Sequence, residues 1–186
     1  MATRGNKAGR AQIEAMLTAW IEAYQQLRIG DSSWSYRSFG DLLAAHGQFF
    51  FPDRWPSATP HPRRARQCFH AANEWADRNG WTYVEGLVYV PAAAPHEIVD
   101  DHAWCLTADG SVADPALPDG AAAGYIGIPI TAEFRHNQRR ARGTDAVFTA
   151  DPANPFAGHV NEAILRHGLP ADAVAAPLPN SRKSRE

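Results

Sequence analysis

Cysteine is scarce in this chain, which holds only Cys68 and Cys105. Two thiols do not make a disulfide framework, and a lone reduced thiol raises a question of chemistry instead. Long apolar runs are missing too. No stretch of about 18 apolar residues occurs, so no membrane span is expected. Met1 to Arg10 is polar and basic, and no apolar segment of signal-peptide type follows it. A disordered tail over residues 1–10 and a cytoplasmic location are the expectations. An excess of either charge is also lacking. The net charge of -2 leaves no electrostatic footprint for nucleic acid.

The remaining composition is that of a globular protein. With 186 residues, 45% of them hydrophobic, the chain can bury one core, and a single domain over 11–177 is expected. From Ala11, Ile13, Met16, Leu17, Trp20, Ile21, Tyr24 and Leu27 recur at three and four, an apolar helical stripe. Ser38 and Asp41 predict a capped helix up to His46. Phe49-Phe50-Phe51 then runs into a proline-rich stretch, read as a loop packed on the body by its aromatics. Gln67 to Asn79 reads as a helix with Cys68 in its first turn and Asn79-Gly80 as its stop. Strands follow at Trp81 to Val90, Asp101 to Thr107, Ser111 to Asp114 and Tyr125 to Ile130. Phe134 to Ala157 is ambiguous, and the basic run Arg135 to Arg142 is expected to be a solvated face. Val160 to His167 is a short helix, and 178–186 a disordered polar tail. Helices followed by a meander of strands predict an α+β fold, with an antiparallel sheet packed against the Cys68 helix.

A thiol nucleophile needs help to become thiolate. A helix N-terminus and nearby cations favour the anion, and Cys68 has both, with Arg63, Arg64 and Arg66 preceding it. A base must lie within hydrogen-bond reach, and His102 is the candidate. Asp114 is the candidate to fix the tautomer of that base. The hairpin between them supplies a test. With a two-residue turn, Asp109-Gly110, Asp114 opposes Cys105 and points away from His102. With a three-residue loop, Ala108-Asp109-Gly110, Asp114 opposes Trp104 and shares a face with His102. Gly110 suits the left-handed position of that longer loop. The same loop sends Cys105 to the opposite face as a buried structural thiol.

Cysteine at a helix start, a His102-Ala103-Trp104 strand and Asp114-Pro115 closing the next strand resemble the transglutaminase-like and papain-like core. Tyr83-Val84-Glu85-Gly86, Asp109-Gly110 and Tyr125-Ile126-Gly127 also resemble a group of small uncharacterised proteins of bacteriophages and bacteria. The resemblance covers Gln67 to Ile130. It implies acyl transfer or amide hydrolysis through a thioester, on a peptide, protein or small acyl substrate, with no cofactor or metal. Gln67, Gln48 and the Cys68 backbone N–H are candidates for the oxyanion donor. Trp104 is a candidate to line the substrate site. Glu85 either faces the cleft or lies on a solvated face, since strands alternate.

Two other readings stand beside this one. The fold can be kept without chemistry, leaving a binding or scaffold protein whose partner surface is Phe49 to Trp55. Alternatively, Cys68-x-His70 and His102-x-x-Cys105 supply the ligand types of a structural zinc site. Spacing weighs against zinc. On a strand His102 and Cys105 point to opposite faces, and on a helix Cys68 and His70 lie about 200° apart.

Overall fold

The computed structural model describes residues 4–56, 60–62, 67–91, 98–149 and 160–176. Helix α1 (Arg4–Gln26) and helix α2 (Phe39–His46) come first. Strand β1 (Gln48–Phe50) precedes helix α3 (Cys68–Asn79). Strands β2 (Thr82–Val90), β3 (Ile98–Leu106), β4 (Val112–Ala113) and β5 (Gly124–Ile130) form the meander. Helices α4 (Ala132–Arg142) and α5 (Glu162–His167) follow. The five strands make one antiparallel sheet in the order β1-β5-β2-β3-β4. The fold class is α+β, and α3 packs on β3 and β2.

Local chemistry accounts for most of these boundaries. Ser38 accepts the Asp41 N–H at 3.0 Å and starts α2. Gly80 closes α3 in the left-handed conformation that a side chain resists. Helix α1 begins at Arg4, so part of the tail expected over residues 1–10 is helical. A polar turn adds no apolar stripe to read, yet extending an existing helix costs far less than nucleating one. Strand β1, which the sequence did not announce, leads into the proline-rich loop, with Gln48, Phe49 and Phe50 paired to Gly127, Ile126 and Tyr125. Beyond it Trp55 packs on Trp75 and Trp81, with ring centroids 4.9 and 5.9 Å away, so that loop is tied to the body by its aromatics. The predicted tail 178–186 and the arginines Arg63, Arg64 and Arg66 lie outside the described residues.

Alternation along the strands gives the sheet two unlike faces. Tyr83, Glu85, Leu87, Ala103, Cys105, Ile126 and Ile128 share one face, which carries the larger core with α1, α2 and α3. His102, Trp104, Val84, Val88, Val112 and Tyr125 share the other, around a smaller core. Along the central strands β2 and β5 both faces are buried, so the middle of the sheet has no solvated side. β5 and β4 are separated by two strands, yet the Tyr125 hydroxyl reaches Asp114, just past β4, at 3.1 Å. The sheet is therefore curled, with the His102 face on the inside.

Gly86 sits in the central strand, paired with His102 on one side and Gly127 on the other. A Cβ there would lie 2.0 Å from the Ile126 carbonyl oxygen and 2.4 Å from Gly127 Cα. Both are backbone atoms and cannot swing aside. Gly86→Ala is expected to destabilise the protein by about 1–3 kcal/mol, read as a lower urea midpoint with an unchanged slope. An unaltered midpoint would mean that β2 and β5 separate freely.

Among the described residues no helix is long and apolar enough to cross a membrane.

Candidate active site

The β3–β4 connection is the three-residue loop. Thr107 and Ser111 close it, with Thr107 N–H to Ser111 O at 3.0 Å and Gly110 N–H to Thr107 O at 2.9 Å. Gly110 has φ 84, the left-handed value that favours glycine. Cys105 pairs with Ala113 and Leu106 with Val112, so Asp114 stands opposite Trp104 and on the face of His102. Cys105 points the other way, fully buried, and its thiol donates to Ala72 O at 3.2 Å. Burial pushes that thiol far above its ordinary pKa, as fits a packing role.

Asp114 divides its carboxylate between two tasks. Oδ1 accepts the backbone N–H groups of Ala116 and Leu117, at 2.9 and 3.0 Å. That is ordinary aspartate turn chemistry and it locks the side-chain rotamer. Oδ2 accepts His102 Nε2 at 2.8 Å and the Tyr125 hydroxyl at 3.1 Å. Four donors on one buried carboxylate keep it ionised. Burial alone would raise its pKa, but the His102 charge, the His102 bond and the two backbone bonds outweigh that and hold it below the ordinary carboxylate range.

His102 occupies the centre of β3, with 6% of its surface exposed. Burial pulls its pKa down, yet the Asp114 charge and hydrogen bond, joined by the nearby Cys68 thiol, raise it from 6.5 to about 10. With Nε2 taken by Asp114, Nδ1 is the nitrogen left for Cys68. The raised pKa favours an imidazolium between a carboxylate and a sulfur. Trp104 and Tyr125 lie nearly parallel to it, with centroids 6.4 and 6.3 Å away, and limit its tilt.

Cys68 is the first residue of α3, and α3 packs on the Cys105 face, opposite His102. A thiol on one side of a sheet meets a ring from the other only where the sheet stops. It stops here: on the outer side of β3, strand β4 covers only Cys105 and Leu106. The remainder of β3 has no strand on that side among the described residues.

The accessory candidates separate into two groups. Gln67 is exposed beside Cys68, and its side chain makes no capping bond, so it is free to turn toward a ligand. The first intrahelical bond of α3 runs from Ala71 N–H to Gln67 O at 2.8 Å, which leaves the Cys68 N–H outside the helical ladder. Both groups lie at the start of α3, beside the Cys68 thiol. Gln48 shares the His102 face but enters from the far edge of the sheet. It is in register with Gly127, Gly86 and His102, three strand spacings or about 14 Å along the sheet from the imidazole. Between them lies the Trp104 indole, whose edge would be 2.5 Å from a Cβ on Gly127. Trp104 itself is completely buried, filling the smaller core with Phe50 and Tyr125.

Glu85 faces neither cleft nor solvent. It is fully buried on the other face. It accepts Val147, Phe148 and Thr149 N–H at 2.7, 2.8 and 2.8 Å, and the hydroxyls of Tyr83 and Thr149 at 2.9 and 3.1 Å. Burial raises its pKa and the backbone bonds oppose the rise. Its work is to hold the segment after α4 against the sheet. The basic run of α4 also departs from a simple solvated face. Arg135 is buried, lies over the Tyr83 ring and donates to Asn73 Oδ1 at 2.7 Å. Arg142 caps the carbonyls of Ala146 and Val147 at 2.8 and 2.7 Å.

Among the described residues the four donors of the zinc alternative do not converge on one point. His70 pairs with Asp145 at 2.9 Å, Cys105 gives its proton to Ala72, and His102 and Cys105 face opposite ways. Comparison with family models, curated proteins and solved structures finds no match. Sequence reasoning missed Tyr125 as a member of the site. Its alternation with Gly127 was visible, but its reach to Asp114 depends on a curl that no local pattern encodes.

Proposed function

We propose that this protein is a cysteine enzyme of the transglutaminase-like or papain-like kind, acting by acyl transfer or amide hydrolysis. One observation carries the reading. His102 is bonded to Asp114 at 2.8 Å, and the Cys68 thiol at the start of a helix lies close enough to help raise the His102 pKa. A base oriented by a carboxylate and touching a nucleophile is the arrangement that covalent acyl chemistry needs.

The steps need only these groups and an acceptor. The imidazolium that the raised His102 pKa favours already holds the Cys68 proton on Nδ1, and the sulfur attacks the substrate carbonyl. The new C–S bond forms as the carbonyl π pair moves onto oxygen, facing the Cys68 N–H and the Gln67 side chain. Collapse breaks the C–N or C–S bond to the leaving group, which takes the His102 proton. Neutral His102 then accepts a proton from water or an amine as it attacks the thioester. Release of the acid or new amide restores the Cys68–His102 pair. Asp114 stays ionised throughout and holds the tautomer. Peptide, protein and small acyl substrates all fit this scheme, and the acceptor decides between hydrolysis and transfer.

A second reading is favoured by one fact: Cys68 is only 9% exposed. A thiol so enclosed fits a binding or scaffold protein that keeps the fold without turnover. Iodoacetamide labelling with peptide mapping separates the two, using the pH dependence for wild type, Cys68→Ala and His102→Ala. Enzyme chemistry predicts labelling of Cys68 at neutral pH that falls about 10²-fold or more in His102→Ala. Cys105, buried and strongly protonated, is the internal control. Equal, slow labelling of Cys68 in wild type and His102→Ala would favour the binding protein.

A further inference from the structure

The three residues of the proposed chemistry leave one polar contact unused. Tyr125 comes from β5, which has one strand between it and β3 and two between it and β4, and its side chain still ends on the Asp114 carboxylate. Tyr125 is 2% exposed, so the hydroxyl was taken out of water to make this bond. It chooses Oδ2, the oxygen that His102 also uses, while Oδ1 is occupied by two backbone N–H groups. Its ring lies 6.3 Å from the imidazole at an interplanar angle of 27° and 4.8 Å from Trp104. One side chain thus touches both the orienter and the base.

We infer that Tyr125 is a positioning residue of the site, which fixes Asp114 and His102 in line and sets how much negative charge Oδ2 presents to the imidazole. The inference rests on the Cys68–His102–Asp114 reading and extends it by a fourth member. A hydroxyl donating to Oδ2 draws charge away from the oxygen that His102 faces. Without it the carboxylate keeps its plane through the Oδ1 turn, but Oδ2 becomes the better acceptor, and the His102–Asp114 bond tightens. Burial and the neighbouring Asp114 charge raise the phenol pKa well above its ordinary value, so the hydroxyl is a donor at neutral pH. A tyrosine that merely filled the small core would need only its ring, and phenylalanine would serve as well.

The test uses the whole ¹⁵N-labelled protein at neutral pH and follows the His102 Nε2–H proton by NMR. That proton, shared with a carboxylate, belongs in the low-field region and is assigned by its loss in His102→Ala. Tyr125→Phe should move it further downfield, as the His102–Asp114 bond shortens, with an unchanged circular-dichroism spectrum. In an Asp114→Asn background the same substitution should leave the His102 ring shifts where they are, because the hydroxyl acts only through the carboxylate. If Tyr125→Phe folds poorly, replacing tyrosine by 3-fluorotyrosine keeps the shape and strengthens the donor, and must move the resonance upfield. An identical resonance in Tyr125→Phe and wild type overturns the role of Tyr125 while leaving the triad standing. Loss of neither the resonance nor Cys68 labelling in His102→Ala overturns the triad reading and this inference with it.

Discussion

Glu85→Ala is expected to lower stability by about 3–5 kcal/mol, enough to leave much of a marginally stable domain unfolded. The carboxylate has no exposed surface and collects five donors, three of them consecutive backbone N–H groups. Backbone groups have no second rotamer, so removal of the side chain leaves Val147, Phe148 and Thr149 N–H buried with nothing to accept them. Phe148 and Val147 belong to the larger core, and the loss therefore spreads into α1 and α2 packing. Glu85→Gln should fall between the two. Its amide nitrogen can replace Oε2, where the Tyr83 hydroxyl can turn and accept, but the Val147 N–H then meets a donor. The pH dependence carries a sign. Burial raises the Glu85 pKa, so the native state holds this proton more tightly than the unfolded chain. Its contribution to stability is complete below the ordinary carboxylate range and declines as pH rises through the raised value. Urea denaturation of the three proteins reads all of this. A Glu85→Ala midpoint equal to wild type would mean that the 144–149 segment is held by other contacts.

Legibility in the sequence followed the range of the interaction. The β3–β4 loop was readable because a three-residue hairpin has a local signature, a glycine at its left-handed position, and because parity then fixes every side chain on both strands. That one local fact placed Asp114 with His102 and sent Cys105 away. Glu85 was not readable, since its backbone partners lie 62 to 64 residues along the chain. Alternation offered only cleft or solvent, whereas a sheet covered on both faces has neither for this strand. Arg135 misled for the same reason: its run of basic neighbours looks solvated, and its buried partners Asn73 and Tyr83 belong to other elements. β1 is three residues of glutamine and phenylalanine with no alternation to betray a strand. Gln48 then fell in the His102 row but across the sheet from it, a distance that register alone reveals.

Asp114→Asn should keep the fold and remove most of the reactivity of Cys68. The asparagine oxygen will take the Oδ1 place, because the Ala116 and Leu117 N–H groups require an acceptor there. The amide nitrogen then falls at the Oδ2 place and donates to His102 Nε2. A donor at Nε2 forces the neutral imidazole to carry its proton on Nδ1, the nitrogen that faces Cys68, where it can no longer receive the thiol proton. Charge changes as well. The His102 pKa of about 10 survives burial only through the carboxylate and the sulfur, so loss of the carboxylate lets burial drive it down toward or below 6.5. Both effects point the same way, and Cys68 labelling at neutral pH should fall by about 10²- to 10⁴-fold. Stability supplies an independent check. A histidine whose pKa is raised on folding stabilises fully below its ordinary value and loses that contribution as pH climbs from 6.5 to about 10. Wild type should therefore weaken between pH 6 and 10 by a few kcal/mol more than Asp114→Asn, because each tenfold gain in proton affinity on folding corresponds to about 1.4 kcal/mol. Parallel stability profiles with equal labelling rates would show that His102 and Asp114 hold each other for packing alone. A flattened profile with unchanged labelling would separate the ion pair from the thiol and leave Cys68 without its base.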